Sequence, residues 1–180
     1  MLHPLTKIAP KQRKAIFWTL FGITILLMLA LGLLGGPLNT PQAPYGIVSF
    51  ELAGDVQKST AMVASWEIGA RSLAGFNLGL DYLYMVVYST TIAMACLWSG
   101  ELISRQGYPG ARLGPPLAWG QWGAALFDAL ENAILLAILL GGVGGPWPML
   151  ARICALLKFG LIFIGLVYSF LGVIVWFSRR

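Results

Sequence analysis

Residues 117–140 read LAWGQWGAALFDALENAILLAILL, an apolar run of membrane-spanning length that carries Asp128, Glu131 and Asn132. Offsets of three and four residues place these polar groups on one face of a helix. At a rise of ~1.5 Å per residue, Glu131 lies roughly 15 Å inside the outer end of the run, near the centre of a ~30 Å hydrocarbon layer. A charge at that depth is costly, so its face must turn into a helix bundle and away from lipid. This stretch predicts an all-α integral membrane protein.

Three more apolar runs of spanning length flank it, at about 15–34, 73–102 and 149–177. The expected fold is a four-transmembrane-helix bundle with a short outer interfacial helix, one membrane domain over 1–180. Its connections are an outer loop at 35–72, an inner loop at 103–116 and an outer turn at 141–148. Composition agrees: mean hydropathy is +0.77, 58% of residues are hydrophobic and only 11% are charged, outside the soluble globular range.

The net charge of +5 does not read as a nucleic-acid footprint, because the basic residues mark segment ends and form no polar face. Lys7, Lys11, Arg13 and Lys14 precede the first run, Arg105 and Arg112 occupy the middle loop, and Arg179 and Arg180 close the chain. With four spans all three groups fall on one side. The positive-inside rule then predicts cytoplasmic N- and C-termini in a bacterial inner membrane. Lys58, Arg71 and Arg152 fall on the outer side and weaken this bias without reversing it. At about twenty residues, the first run exceeds a signal-peptide core, and no A-x-A site follows, so it reads as a retained helix.

Gly35, Gly36, Pro37, Pro41 and Pro44 predict an irregular start to the outer loop. Residues 47–52 alternate partly and suggest a short extended segment. Over 55–71 a helix is expected, with Asp55 as N-cap, Val56, Val63 and Trp66 along one face, and Trp66 at headgroup level. Pro109, Pro115 and Pro116 should keep the inner loop non-helical, with Trp119 and Trp122 as interface anchors beyond it.

The second run carries Asn77 and Asp81, with Tyr84 and Tyr88 on the stripe of Asp81. The fourth carries Lys158, matched in depth to Glu131, and Arg152 about a turn and a half above it. The candidate intramembrane cluster is therefore Asp81, Tyr84, Tyr88, Asp128, Glu131, Asn132, Arg152 and Lys158. Two readings stay open. As a structural device, the acids and bases pair and fix helix register, with Glu131 opposite Lys158 and Asp81 nearer Arg152. As a functional site, three carboxyls against two cations leave Asp128 as the odd group, suited to carry a proton or meet a ligand.

Weaker signals follow. Lys158 can in principle form a Schiff base but reads better as a counter-ion. Tyr82, Tyr84 and Tyr88 suit either an aromatic pocket for a quinone, carotenoid or sterol-like ligand or interface anchoring, and the sequence leaves the cofactor unknown. Gly165, Ser169 and Gly172 resemble a close-packing seam. Cys96 and Cys154 fall near opposite membrane faces, too far apart for a disulfide. With a lone His3 in the tail and no phosphate-loop, dinucleotide or nucleophile-elbow motif, metal and triad chemistry are disfavoured.

The set 50–53 (FELA), Trp66, 80–83 (LDYL), 127–132 (FDALEN) and Lys158 resembles small uncharacterised bacterial four-span proteins over nearly the whole chain. The resemblance implies the topology and the choice of polar residues, and it carries no assigned activity. The function expected first is that of a non-enzymatic accessory or assembly subunit of a larger membrane complex, in contact with the bilayer or as a homo-oligomer. The alternative is a small proton-coupled carrier or lipophilic-ligand-binding protein using Asp81, Asp128, Glu131 and Lys158.

Overall fold

The computed structural model describes residues 3–142 and 144–178. Arg179 and Arg180 of the C-terminal basic group lie outside the described residues. The chain is all-helical: α1 Pro10–Gly35, α2 Ile47–Glu51, α3 Val56–Ser65, α4 Ile68–Arg105, α5 Gly114–Leu139 and α6 Trp147–Phe177. Single 3-10 turns occur at Pro4–Lys7, Gly36–Leu38 and Ala111–Leu113, and no strand occurs among the described residues. Four helices, α1, α4, α5 and α6, are long and apolar enough to cross a membrane.

These elements form two compact units whose boundaries fall within the four long helices. Among the described residues, the first comprises 3–24, 86–125 and 158–178, and the second comprises 25–85, 126–142 and 144–157.

In the first unit, small residues let backbones approach. The Ser99 hydroxyl donates to the Ser169 carbonyl at 3.1 Å, and the Gln121 amide donates to the Leu161 carbonyl at 2.9 Å. A Cβ on Gly172 would fall 2.7 Å from Ser99 Cα, so glycine there permits the contact. The expected seam at Gly165, Ser169 and Gly172 is thus a packing surface against α4 and α5. Arg13 grips Glu101 bidentately at 2.6 and 2.9 Å, the geometry a planar guanidinium favours. His3 is wholly buried, its ring 4.8 Å from Trp119 and 4.5 Å from Trp122. These two tryptophans hold the N-terminal turn in addition to any interfacial role.

Pro115 and Pro116 lie in the first turn of α5, contrary to the expected non-helical loop. Proline lacks an N–H, and the first helical N–H groups have no intrahelical acceptor, so proline starts a helix at little cost.

The second unit is built around Leu38, Phe50, Met62, Trp66, Leu78, Leu135 and Ile138. Residues 47–52 form α2 and its cap instead of an extended segment. No neighbouring strand pairs with them, whereas a helical turn closes its own bonds, Phe50 N–H to Gly46 O at 3.3 Å and Leu52 N–H to Val48 O at 3.2 Å.

Asp55 caps α3 as expected, accepting the Lys58 N–H at 2.7 Å. That hydrogen bond, more than the neighbouring ammonium, holds the Asp55 carboxyl below its ordinary range. The helix nevertheless ends at Ser65, and 68–71 begin α4. Its buried face is Ser59 and Met62, while Val56 is exposed. Trp66 is no headgroup anchor: it is 2% exposed, edge-on to Phe50, with its indole N–H donating to Leu38 O at 2.9 Å. A loop carbonyl that accepts this N–H removes the polar cost of burying the largest side chain.

Candidate functional site

A polar cavity of about 260 Å³ lies within the second unit. Leu31, Gly32 and Gly35 of α1 line it, with Asn39 and Tyr45 from the following loop. Ile47, Val48 and Glu51 come from α2, Asn77, Leu78 and Asp81 from α4, and Asn132 from α5. One helical turn separates Asn77 from Asp81, which puts both on the same face. Gly46, at φ +55°, redirects the chain into α2 and so presents Glu51.

Two amides are spent on fixed partners. Asn77 Nδ2 donates to Leu31 O at 3.0 Å, and Asn132 Nδ2 donates to Asp81 Oδ2 at 2.6 Å. Because Asp81 accepts from the Asn132 amide nitrogen, the Asn132 carbonyl oxygen points away from it. That oxygen is buried and has no hydrogen-bond partner among the described residues. Glu51 is buried as well, at 7% exposure.

The candidate residues divide. Asp81 and Asn132 line the cavity and bond each other. Asp128 and Glu131 are buried on α5 in the same unit, while Leu126 and Leu130 point outward, which matches the polar face expected from their spacing. Tyr84 is half-buried in this unit. Arg152 is exposed and lies over Gly54, where a Cβ would come within 2.7 Å of the arginine Cδ. Gly54 has φ +75°, so its backbone favours glycine, while the exposed arginine side chain is free to shift. Tyr88 and Lys158 belong to the first unit, where both are buried and Lys158 Nζ stands 5.0 Å from the Phe159 ring centre. The exposed Tyr82 donates its hydroxyl to Ala129 O at 2.9 Å.

Asn39, Tyr45 and Glu51 were not among the expected site residues, and Asn77 was seen only as a polar position on its helix. The available signal for Glu51 was a single acid in the apolar piece 47–52. Reading that piece as extended hid its inward direction. No group of three or more His, Cys, Asp and Glu side chains suited to a metal occurs among the described residues.

The first unit has a separate recess of about 450 Å³, lined by Thr6, Glu101, Ser104, Arg105 and Arg112 among others. Both of its arginines are exposed, so it lacks the buried polar lining of the first cavity. The chain matches no protein-family model, no curated protein and no solved structure. The geometry of the second unit therefore carries the functional reading.

Proposed function

We propose that the chain is a four-span membrane protein, with both termini cytoplasmic in a bacterial inner membrane, that works by binding a small ligand in the acid–amide cavity. The observation that supports this is the cavity itself, which brings Asn39, Glu51, Asn77, Asp81 and Asn132 together from α2, α4, α5 and the loop after α1, beside the apolar Leu31, Ile47, Val48 and Leu78. Polar groups that serve only to set helix register pack against one another, whereas these line a space of about 260 Å³. A small molecule can enter such a space and meet those groups. This favours the binding alternative over the accessory-subunit expectation.

The test is native mass spectrometry of the full chain extracted into polymer discs. A small molecule should remain bound, and Asn132→Leu should release it. A protein partner retained in fixed ratio, with no small molecule, would instead favour the subunit reading. One observation speaks for that second reading: α1 has no buried residue, and Trp18, Phe21, Leu26 and Leu33 are exposed. Lipid covers such a face equally well, so the mass of the retained species decides between them.

A further inference from the structure

We infer that the recess of the first unit, where α4 ends, holds the phosphate headgroup of an acidic phospholipid from the surrounding leaflet. This goes beyond the cavity of the second unit and rests only on the four-span part of the reading above. α4 ends at Arg105 and α5 begins at Gly114, so in that reading the recess opens at headgroup level on the cytoplasmic side.

Three charged side chains line it: Glu101, Arg105 and Arg112. Glu101 is already committed, because Arg13 holds its two oxygens at 2.6 and 2.9 Å. Arg105 and Arg112 are exposed, and neither guanidinium has a hydrogen bond or ion pair among the described residues. The planar donor fork of arginine takes phosphate oxygens in pairs. An ammonium or metal ion would meet two like charges here. The backbone that carries Arg112 is fixed from two sides. Tyr168 donates its hydroxyl to Gly110 O at 3.0 Å, and a Cβ on Gly100 would stand only 2.9 Å from Ala111 O. Glycine at position 100 therefore lets this turn lie against α4. A ligand has to order the two arginine side chains and little else.

The lining also changes along α4 in the order in which a lipid does. Leu97, Glu101 and Arg105 follow at one-turn intervals on one face, from apolar to cationic. Glycerol and the first acyl carbons fit against Leu97 and Pro115, with the phosphate at Arg105 and Arg112. A free phosphate ion gains nothing from the apolar end. At ~30 Å³ per water, about 450 Å³ holds roughly fifteen water-sized groups. That suffices for a glycerophosphate headgroup whose chains continue into the bilayer.

The test uses the purified full chain in mild detergent, titrated with dioleoylphosphatidylglycerol. Comparators are dioleoylphosphatidylcholine, sodium glycerol-3-phosphate and sodium phosphate. Native mass spectrometry and thermal midpoint are the readouts. The acidic lipid should bind saturably and raise the midpoint, as a ligand of the folded state must. The choline lipid, whose ammonium offsets its phosphate, should bind more weakly. Arg105→Gln and Arg112→Gln should each weaken binding of the acidic lipid by roughly fivefold, the effect of one basic side chain at an anionic lipid surface. Lys14→Gln removes an equal charge from an exposed position on α1 outside the recess, and it should leave binding unchanged. All three side chains lie on the surface or partly so, and none of the variants should move the lipid-free midpoint.

Equal weakening by Lys14→Gln would reduce the effect to diffuse surface charge and overturn the inference. Equal binding of the two lipids, or no lipid bound at all, would do the same. A midpoint shift from glycerol phosphate or phosphate that matches the lipid's would make this a site for a soluble anion and overturn the lipid assignment. So would a protein retained in fixed ratio and released by the arginine variants. Lipid lost in Asn132→Leu yet kept in both arginine variants would belong to the second unit's cavity, ending this inference and leaving that reading standing. An empty cavity there, with phosphatidylglycerol still released by the arginine variants, would do the reverse.

Discussion

Trp66 shows how one side chain can be misread from its type alone. Aromatic residues near a span end suggest an interface, yet this one is core because Leu38 O accepts its N–H at 2.9 Å. Trp66→Phe keeps much of the ring packing but leaves that carbonyl without its donor. It should lower stability by about 1–3 kcal/mol, read as a reduced unfolding midpoint in mild detergent. His3 provides a pH prediction at the same scale. Burial between Trp119 and Trp122 holds its pKa below the ordinary 6.5. The unfolded segment therefore binds protons more readily than the docked one. Its docking contributes fully above about pH 6.5 and is lost as pH falls through the lower docked value. Hydrogen exchange over residues 3–7 should quicken on acidification through this window, and His3→Phe should flatten the dependence.

At the scale of the element, glycines in α6 have opposite roles depending on the face they occupy. Gly172 meets Ser99, whose Cα would lie 2.7 Å from an added Cβ, whereas Gly160 has no atom within 4 Å of that position. Gly160→Ala should stabilise by up to about 1 kcal/mol through helix propensity. Gly172→Ala should destabilise by about 1–3 kcal/mol through overpacking against α4. Thermal melts of the two single variants check the pair, and equal effects would show that the close contact carries no energy. Helix identity in the long elements was legible because hydropathy and three-to-four-residue spacing are local signals. The short α2 was not, since a five-residue piece has too few positions to distinguish a turn of helix from a strand.

For the whole molecule, the four-span reading makes an orientation testable. In a background of Cys96→Ala and Cys154→Ala, Lys58→Cys should react with a membrane-impermeant maleimide in intact spheroplasts. Arg105→Cys should react only after permeabilisation. The reverse pattern would invert the topology, and labelling of both sites in intact spheroplasts would contradict the single span drawn between Lys58 and Arg105. Lys58 and Arg105 are both exposed in their own units, so local burial does not confound the reading.

The all-helical class, the four long apolar helices and the inward face of Asp128, Glu131 and Asn132 were determined by sequence alone, because each follows from length, hydropathy or periodicity along one segment. Asn77 and Asp81 were legible as polar positions of the second run. Only the tertiary structure decided that Glu51 and Asn39 meet them at one cavity, and that Asn132 bonds Asp81. Those meetings depend on the path of the connection through Gly46, α2 and the Trp66–Leu38 contact. No local period encodes that path: it is settled by which loop carbonyl takes a buried N–H and which backbone turns glycine permits.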